Sequence, residues 1–271
     1  MANYSNDFSI ENLEVIRRYQ SNEDNVFFAY SEFSYNTLVG AYEPFLDIIC
    51  NMHRRFIGGS FDDFQKECGV YYLHRQVLNS YYETGECFRE ETVLLNEVAY
   101  EQRRMTMAIA DMLKKLSEVK PLMIVINRFQ MASKSSIETI KYLIDNPCAN
   151  IGIVLGVNAI VKGTDSTVEV WDRIVESLED RSAIYYIGSA GPLKNNVKTT
   201  NDDELYITMN FEQSIQEASN IMEFLDFEQA RRGCRIIEHK IKFENAWIDE
   251  KSLRRFYLVY ARTSVLLGEM S

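Results

Sequence analysis

The chain has 271 residues, 46% of them hydrophobic and 25% charged, the make-up of an ordinary globular protein with one large domain or two small ones. Four Pro and 12 Gly are too few for a disordered, collagenous or turn-rich all-β chain. With 29 Lys and Arg against 40 Asp and Glu, the net charge of −11 makes it a poor general binder of nucleic acid or of an anionic membrane.

Residues 9–20 read as an amphipathic helix, with Ile10, Leu13, Val15, Ile16 and Tyr19 mostly on one face. The β-branched and aromatic run at about 25–31 predicts a strand. Pro44 opens a helix that carries Phe45, Leu46, Ile48 and Ile49. A Tyr-rich helix is expected over 60–82, and a long one over 88–118, from Phe88 through Val93, Met105 and Ile109 to Leu116. Pro121 ends that helix and opens a buried strand, Leu122–Asn127. Ser135 and Glu138 have the spacing of a capping box, for a helix that stops near Pro147. Strands follow at 150–157 and 183–188, with a helix at 166–180 between them. This alternation predicts an α/β domain with a parallel sheet and helices on both faces.

After Pro192 the character changes. Residues 193–204 are polar and read as a linker, and 205–209 as a short strand. From Phe211 onward the pattern is helical, in helices at 211–225, 226–244 and 247–268. Asp226 caps the second, with Ala230, Ile236, Ile237 and Ile241 on its buried face. The expected division is an α/β domain over 1–200 and a helical region over 201–271.

Five Cys at 50, 68, 87, 148 and 234 form no CxxC, so reduced thiols are expected rather than a disulfide framework. The polar, acidic start is unlike a signal peptide, and the apolar run Leu122–Ile126 is far shorter than the roughly 20 residues of a membrane helix. A cytoplasmic protein is the resulting expectation. Cys50 with His53, and Cys68 with His74, have no second pair to complete a tetrahedral zinc set. Arg231, Arg232, Arg235, Lys240 and Lys242 read as a solvated helix face, and the Tyr pairs at 71–72, 81–82 and 185–186 as packing rather than base-stacking groups.

The stretch 121–143 resembles the Walker B segment of signal-transduction P-loop ATPases, the STAND group of AAA-like ATPases. In that family an apolar strand ends in two acids, followed by a Leu-Gln-Trp-Ala-Asp-like turn and a helix with Ser near its start. Phe129, Gln130, Met131 and Ala132 stand at that turn and Ser136 at the helix Ser. Residues 28–33 and 42–45 resemble the family's second strand and the helix entry after it, and Asn158 falls at its polar sensor position. The resemblance spans roughly residues 8–190 and implies a P-loop-NTPase-like fold.

The departures decide the function it implies. Asn127 stands where the family's Mg²⁺-holding acid would be, Arg128 where the general base would be, and Ser133 at a later acid. Arg cannot accept a proton. The first Gly is Gly40, too late for a Walker A loop at the family position, and Gly58-Gly59 lacks the Lys that must follow. No ATP, Mg²⁺ or other cofactor is therefore expected. The expected function is a non-catalytic regulatory or scaffolding module in signal transduction. Its partner would be a protein or further domains of the same polypeptide, not nucleic acid or membrane, and oligomerisation is compatible with it. One alternative is an ATP-binding STAND ATPase whose P-loop lies outside the chain. Another is a TPR-like peptide-binding protein, because Ala230-Arg and Ala261-Arg follow aromatic residues at a spacing near the ~34-residue TPR period.

Overall fold

The computed structural model describes residues 25–33, 40–89, 93, 97–156, 211–243 and 248–267. Strands β1 (Phe27–Glu32), β2 (Leu122–Asn127) and β3 (Ile151–Leu155) form a parallel sheet in the order β1-β2-β3. Phe27 lies opposite Leu122 and Glu32 opposite Asn127, and across the other seam Leu122 lies opposite Ile151. The strands expected at about 25–31, 121–127 and 150–157 are thus present and parallel. The strand at 183–188, the helices at 9–20 and 166–180, the linker at 193–204 and the strand at 205–209 lie outside the described residues.

Side-chain alternation on β2 gives the sheet two faces. Leu122, Ile124 and Ile126 join the main core, while Met123 and Val125 form a second cluster with Phe28, Tyr30 and Val154. The main core is covered by α1 (Phe45–Met52), α4 (Val98–Val119) and α5 (Lys134–Asp145), which interleave with the strands in sequence. Ile49, Met112, Leu113 and Ile140 are fully buried in it.

Two long helices expected from periodicity are cut by specific contacts. The 60–82 segment divides into α2 (Phe61–Glu67) and α3 (Tyr72–Thr84). Gly69 takes φ 72° and closes α2 with a double turn, its amide donating to Lys66 and that of Val70 to Gln65. This Schellman arrangement suits Gly because a side chain strains a left-handed residue. The second, expected over 88–118, begins only at Val98. Upstream of it, residues 85–89 are strapped to the C-terminal helices. The Asn220 side chain accepts from the Cys87 amide at 2.9 Å and donates to the Gly85 carbonyl at 3.0 Å, and Arg89 donates to the Glu223 carbonyl at 3.1 Å.

The C-terminal region is helical: α6 (Phe211–Glu223), α7 (Phe227–Phe243) and α8 (Glu250–Leu266). Leu225, at φ 68°, turns the chain between α6 and α7, with the Asp226 amide donating to Ile221 and the Leu225 amide to Met222. Asp226 caps α7 as expected, its Oδ1 accepting from the Gln229 amide at 3.3 Å. Ala230 and Ile237 are buried, as expected for α7, and Ile241 packs against the core. Arg255 donates to Gln216, and Arg262 pairs with Glu223 at 3.3 Å, two α8–α6 contacts with the same offset of 39 residues. A constant offset means that α8 runs parallel to α6, so α7 runs against both. The Ala230–Ala261 spacing therefore relates two antiparallel neighbours, and Ala261 is exposed where Ala230 is buried. Ile215, Ile221, Phe224 and Phe256 belong to the same buried cluster as the sheet, so one core runs through both regions.

Candidate functional site at the carboxyl edge of the sheet

Parallel pairing brings the C-terminal ends of β1 and β2 together, and the register sets Glu32 beside Asn127. β2 ends because Arg128 turns into the left-handed region, at φ 56° and ψ 40°. Such a conformation costs a non-Gly residue about 1 kcal/mol or more. The Asn127 side chain offsets it locally, its Oδ1 accepting from the Arg128 amide at 3.0 Å. The turn is then pinned to the end of β3, the Phe129 amide donating to the Gly156 carbonyl at 2.9 Å and the Gly156 amide to Ile126 at 2.8 Å. Phe129 is fully buried beneath it.

The Arg128 guanidinium reaches across to β1 and meets Glu32 Oε1 at 3.2 Å. The other carboxylate oxygen of Glu32 accepts from the Tyr30 hydroxyl at 3.1 Å. The pair is half-exposed, so it contributes about 1 kcal/mol or less to stability. Its chemical effect is larger: among the described residues, the carboxylate that the β1–β2 register sets beside Asn127 is paired with a fixed cation. A Mg²⁺ ion needs hard oxygen ligands, usually carboxylates, and phosphoryl transfer needs a group that can orient or deprotonate the nucleophile. Asn127 uses its oxygen on the chain, Glu32 is engaged on both oxygens, and the Arg128 side chain offers donors and no acceptor. These residues do not fit a Mg–nucleotide centre.

Ser133 has a structural role. It is 1% exposed and serves as the N-cap of α5, its hydroxyl accepting from the Ser136 amide at 3.4 Å. The capping residue is therefore Ser133 and not Ser135, because α5 starts at Lys134, earlier than the Ser135–Glu138 pattern indicates. The two remaining serines hold the turn before α1. Ser135 Oγ accepts from the Tyr42 amide at 3.0 Å, and Ser136 Oγ donates to the Glu43 carbonyl at 2.6 Å. Asn158, the sensor-like position, lies outside the described residues. Of the four positions singled out from the sequence, the fold brings Asn127 and Arg128 together and assigns Ser133 a structural role.

Sequence reasoning missed Glu32 and Tyr30. Only the strand register reveals them, since they lie about 95 residues before their partners. The histidines considered for metal are occupied otherwise. His53 sits among Phe61, Phe64 and Tyr82, with Nδ1 3.1 Å from the Tyr82 hydroxyl. His74 Nε2 lies 3.0 Å from Glu101, and burial together with Arg89 and Arg104 pushes its imidazole down to about 3, against the pull of that carboxylate. Burial pushes the Cys50 thiol up to about 12, which makes it a poor nucleophile or ligand. Among the described residues no group of three or more His, Cys, Asp or Glu is placed to hold a metal. The basic stripe of α7 is not wholly solvated: Lys240 is buried, and the Arg231 guanidinium stands 5.4 Å over the Tyr260 ring. No helix among the described residues is long and apolar enough to cross a membrane. No family model, no curated protein and no solved structure matches the chain.

Proposed function

We propose that the chain is a non-catalytic regulatory or scaffolding module of a signal-transduction protein, acting through protein–protein contacts. The observation that carries this reading is the closed edge of the sheet. Where the resembling ATPases present two acids to Mg²⁺ and water, this chain presents an Asn bound to its own backbone and an Arg paired with Glu32. An ATPase-like frame without hydrolytic chemistry retains packing surfaces as its means of acting on a partner. The strap from residues 85–89 to α6 and the shared core join the two regions, which suits a module that transmits contacts.

The test is turnover. Phosphate release from Mg-ATP by the chain should not exceed the protein-free rate. The double change Asn127→Asp, Arg128→Glu should also leave it there, since two restored acids do not create a phosphate-binding loop. Hydrolysis by either protein would refute the reading and favour an ATPase with its phosphate site elsewhere. A TPR-like peptide-binding role is the second reading, favoured by the parallel run of α6 and α8, whose 39-residue offset is longer than the ~34-residue TPR period.

A further inference from the structure

A furrow of about 470 Å³ runs between α4 and α5 and ends against the turn joining α6 to α7. Its described lining holds three bases, Arg103, Lys134 and Lys141, and three acids, Glu138, Asp145 and Asp226. We propose that α5 of a second copy of this chain lies antiparallel along the furrow, so that two copies form a two-fold dimer with α5 packed on α5.

The order of the charges on α5 identifies the occupant. At about 100° per residue, Lys134, Glu138, Lys141 and Asp145 fall within about 60° of one another, on a single ridge. All four line the furrow, so this ridge forms its α5 wall. The charges alternate along it. Lys134 and Asp145 stand equally far from the middle of the helix, with opposite sign, and so do Glu138 and Lys141. A two-fold axis through that middle sets Lys134 against Asp145 of the second copy and Glu138 against its Lys141. An isologous interface requires this self-complementarity. A parallel α5 in the same register would set each charge against its like.

Charge also favours a second copy over other occupants. At a net charge of −11, two copies repel each other as wholes. With bases and acids in equal number, the described lining of the furrow is a locally neutral face on which they can meet. A ligand of one sign would meet three groups of its own sign there. The ridge charges are not used up inside α5. In other helices Lys66 pairs with Asp62 at 2.7 Å and Lys242 with Glu238 at 2.6 Å, each four residues away. Lys134, Glu138 and Lys141 form no such pair within 4 Å among the described residues. Exposed ion pairs alone bind weakly, and Met107, 36% exposed, with the half-buried Tyr142 adds apolar contact beside the ridge. A face two helices wide and about 18 Å long lies at the low end of specific interfaces, about 1,200 Å² in total, which makes the dimer a weak one.

Sedimentation equilibrium of the full chain from about 5 to 500 µM tests this. A reversible monomer–dimer equilibrium is expected, with a Kd on the order of 10–100 µM. Lys134→Glu with Lys141→Glu makes the ridge wholly acidic, and Glu138→Lys with Asp145→Lys makes it wholly basic. Each folded variant should self-associate at least about tenfold more weakly than the wild type, because like charges then face each other. An equimolar mixture of the two should recover at least the wild-type affinity, because opposite ridges meet. If either variant does not fold, carbodiimide cross-linking of mixed ¹⁴N- and ¹⁵N-labelled wild-type chains decides. Links from Lys134 to Asp145 and from Glu138 to Lys141 should join one light and one heavy peptide. A wild-type chain that stays monomeric to about 500 µM overturns the proposal and leaves the furrow to a different protein. Self-association unchanged in both folded variants, a mixture that does not associate, or links confined to single chains overturns it as well. The dimer does not depend on the regulatory reading: Mg-ATP turnover would leave it untouched, and a monomer would leave that reading standing.

Discussion

The strap between residues 85–89 and α6 predicts that Asn220 is worth more to stability than its polar side chain suggests. Asn220 is 3% exposed, accepts from the Cys87 amide at 2.9 Å and donates to the Gly85 carbonyl at 3.0 Å. The Asn220→Ala change removes both bonds together with a third, from Gln216 at 2.8 Å. Gly85 is exposed and Gln216 half-buried, so water can replace Asn220 for them at little cost. The Cys87 amide belongs to a buried residue and is left without an acceptor, a loss of about 1–3 kcal/mol. Adding about 1 kcal/mol for the other two bonds and the small cavity gives roughly 2–4 kcal/mol in all. For a chain of this size that corresponds to a Tm lower by about 5–12 °C. Urea denaturation followed by circular dichroism measures it, beside Gln216→Ala, which loses its bonds to Asn220 and from Arg255 but leaves the Cys87 amide its acceptor and should cost under about 2 kcal/mol. A loss in Asn220→Ala no larger than in Gln216→Ala would refute the reasoning, and with it the reason given for the helix starting at Val98.

Two further predictions follow from polar groups near the same joint. Burial beside Glu43 and Asp47 pushes the Glu217 carboxyl up to about 7. A carboxyl raised in the folded state binds a proton that the unfolded chain has already released, so its contribution is present below about pH 4.5 and is lost as pH rises to about 7. Glu217→Gln should therefore flatten stability over that window and gain on the order of 1 kcal/mol at pH 8. An unchanged pH profile would exclude Glu217 as the source. Ser136→Ala removes a 2.6 Å bond to the Glu43 carbonyl and should cost about 1–2 kcal/mol, whereas Ser133→Ala, which removes the α5 cap, should cost about 1 kcal/mol. Thermal denaturation of both separates clamp from cap, and indifference to Ser136→Ala would argue against the clamp.

Much of the fold was legible in the sequence because its signals are local. Pro121 followed by Leu122–Ile126 marks a strand buried on both faces, and the one-sided apolar pattern from Phe211 onward marks α6, α7 and α8 to within a few residues. What periodicity could not show depends on distant partners. Phe88 and Val93 continue the apolar pattern of α4, yet Asn220 and Glu223, more than 130 residues away, hold residues 87 and 89 to another element. Ser133, Ser135 and Ser136 are equally plausible caps by composition, and the choice is made by Tyr42 and Glu43, whose backbone uses the other two hydroxyls. At the sheet edge, Asn127 and Arg128 were legible as departures from the pattern they resemble. That Arg128 is answered by Glu32 required the register of β1 on β2. Asp226 was legible as a cap, while its burial depends on how the α6–α7 turn meets α4 and α5.

The central claim, that the carboxyl edge of the sheet has no Mg–nucleotide chemistry, is tested most directly by isothermal titration of the intact chain with Mg-ATP. The account predicts no binding tighter than a Kd of about 1 mM, equivalent to about 4 kcal/mol. The Arg128–Glu32 pair and the turn of Asn127 should stay undisturbed. Saturable binding at micromolar Mg-ATP would contradict it.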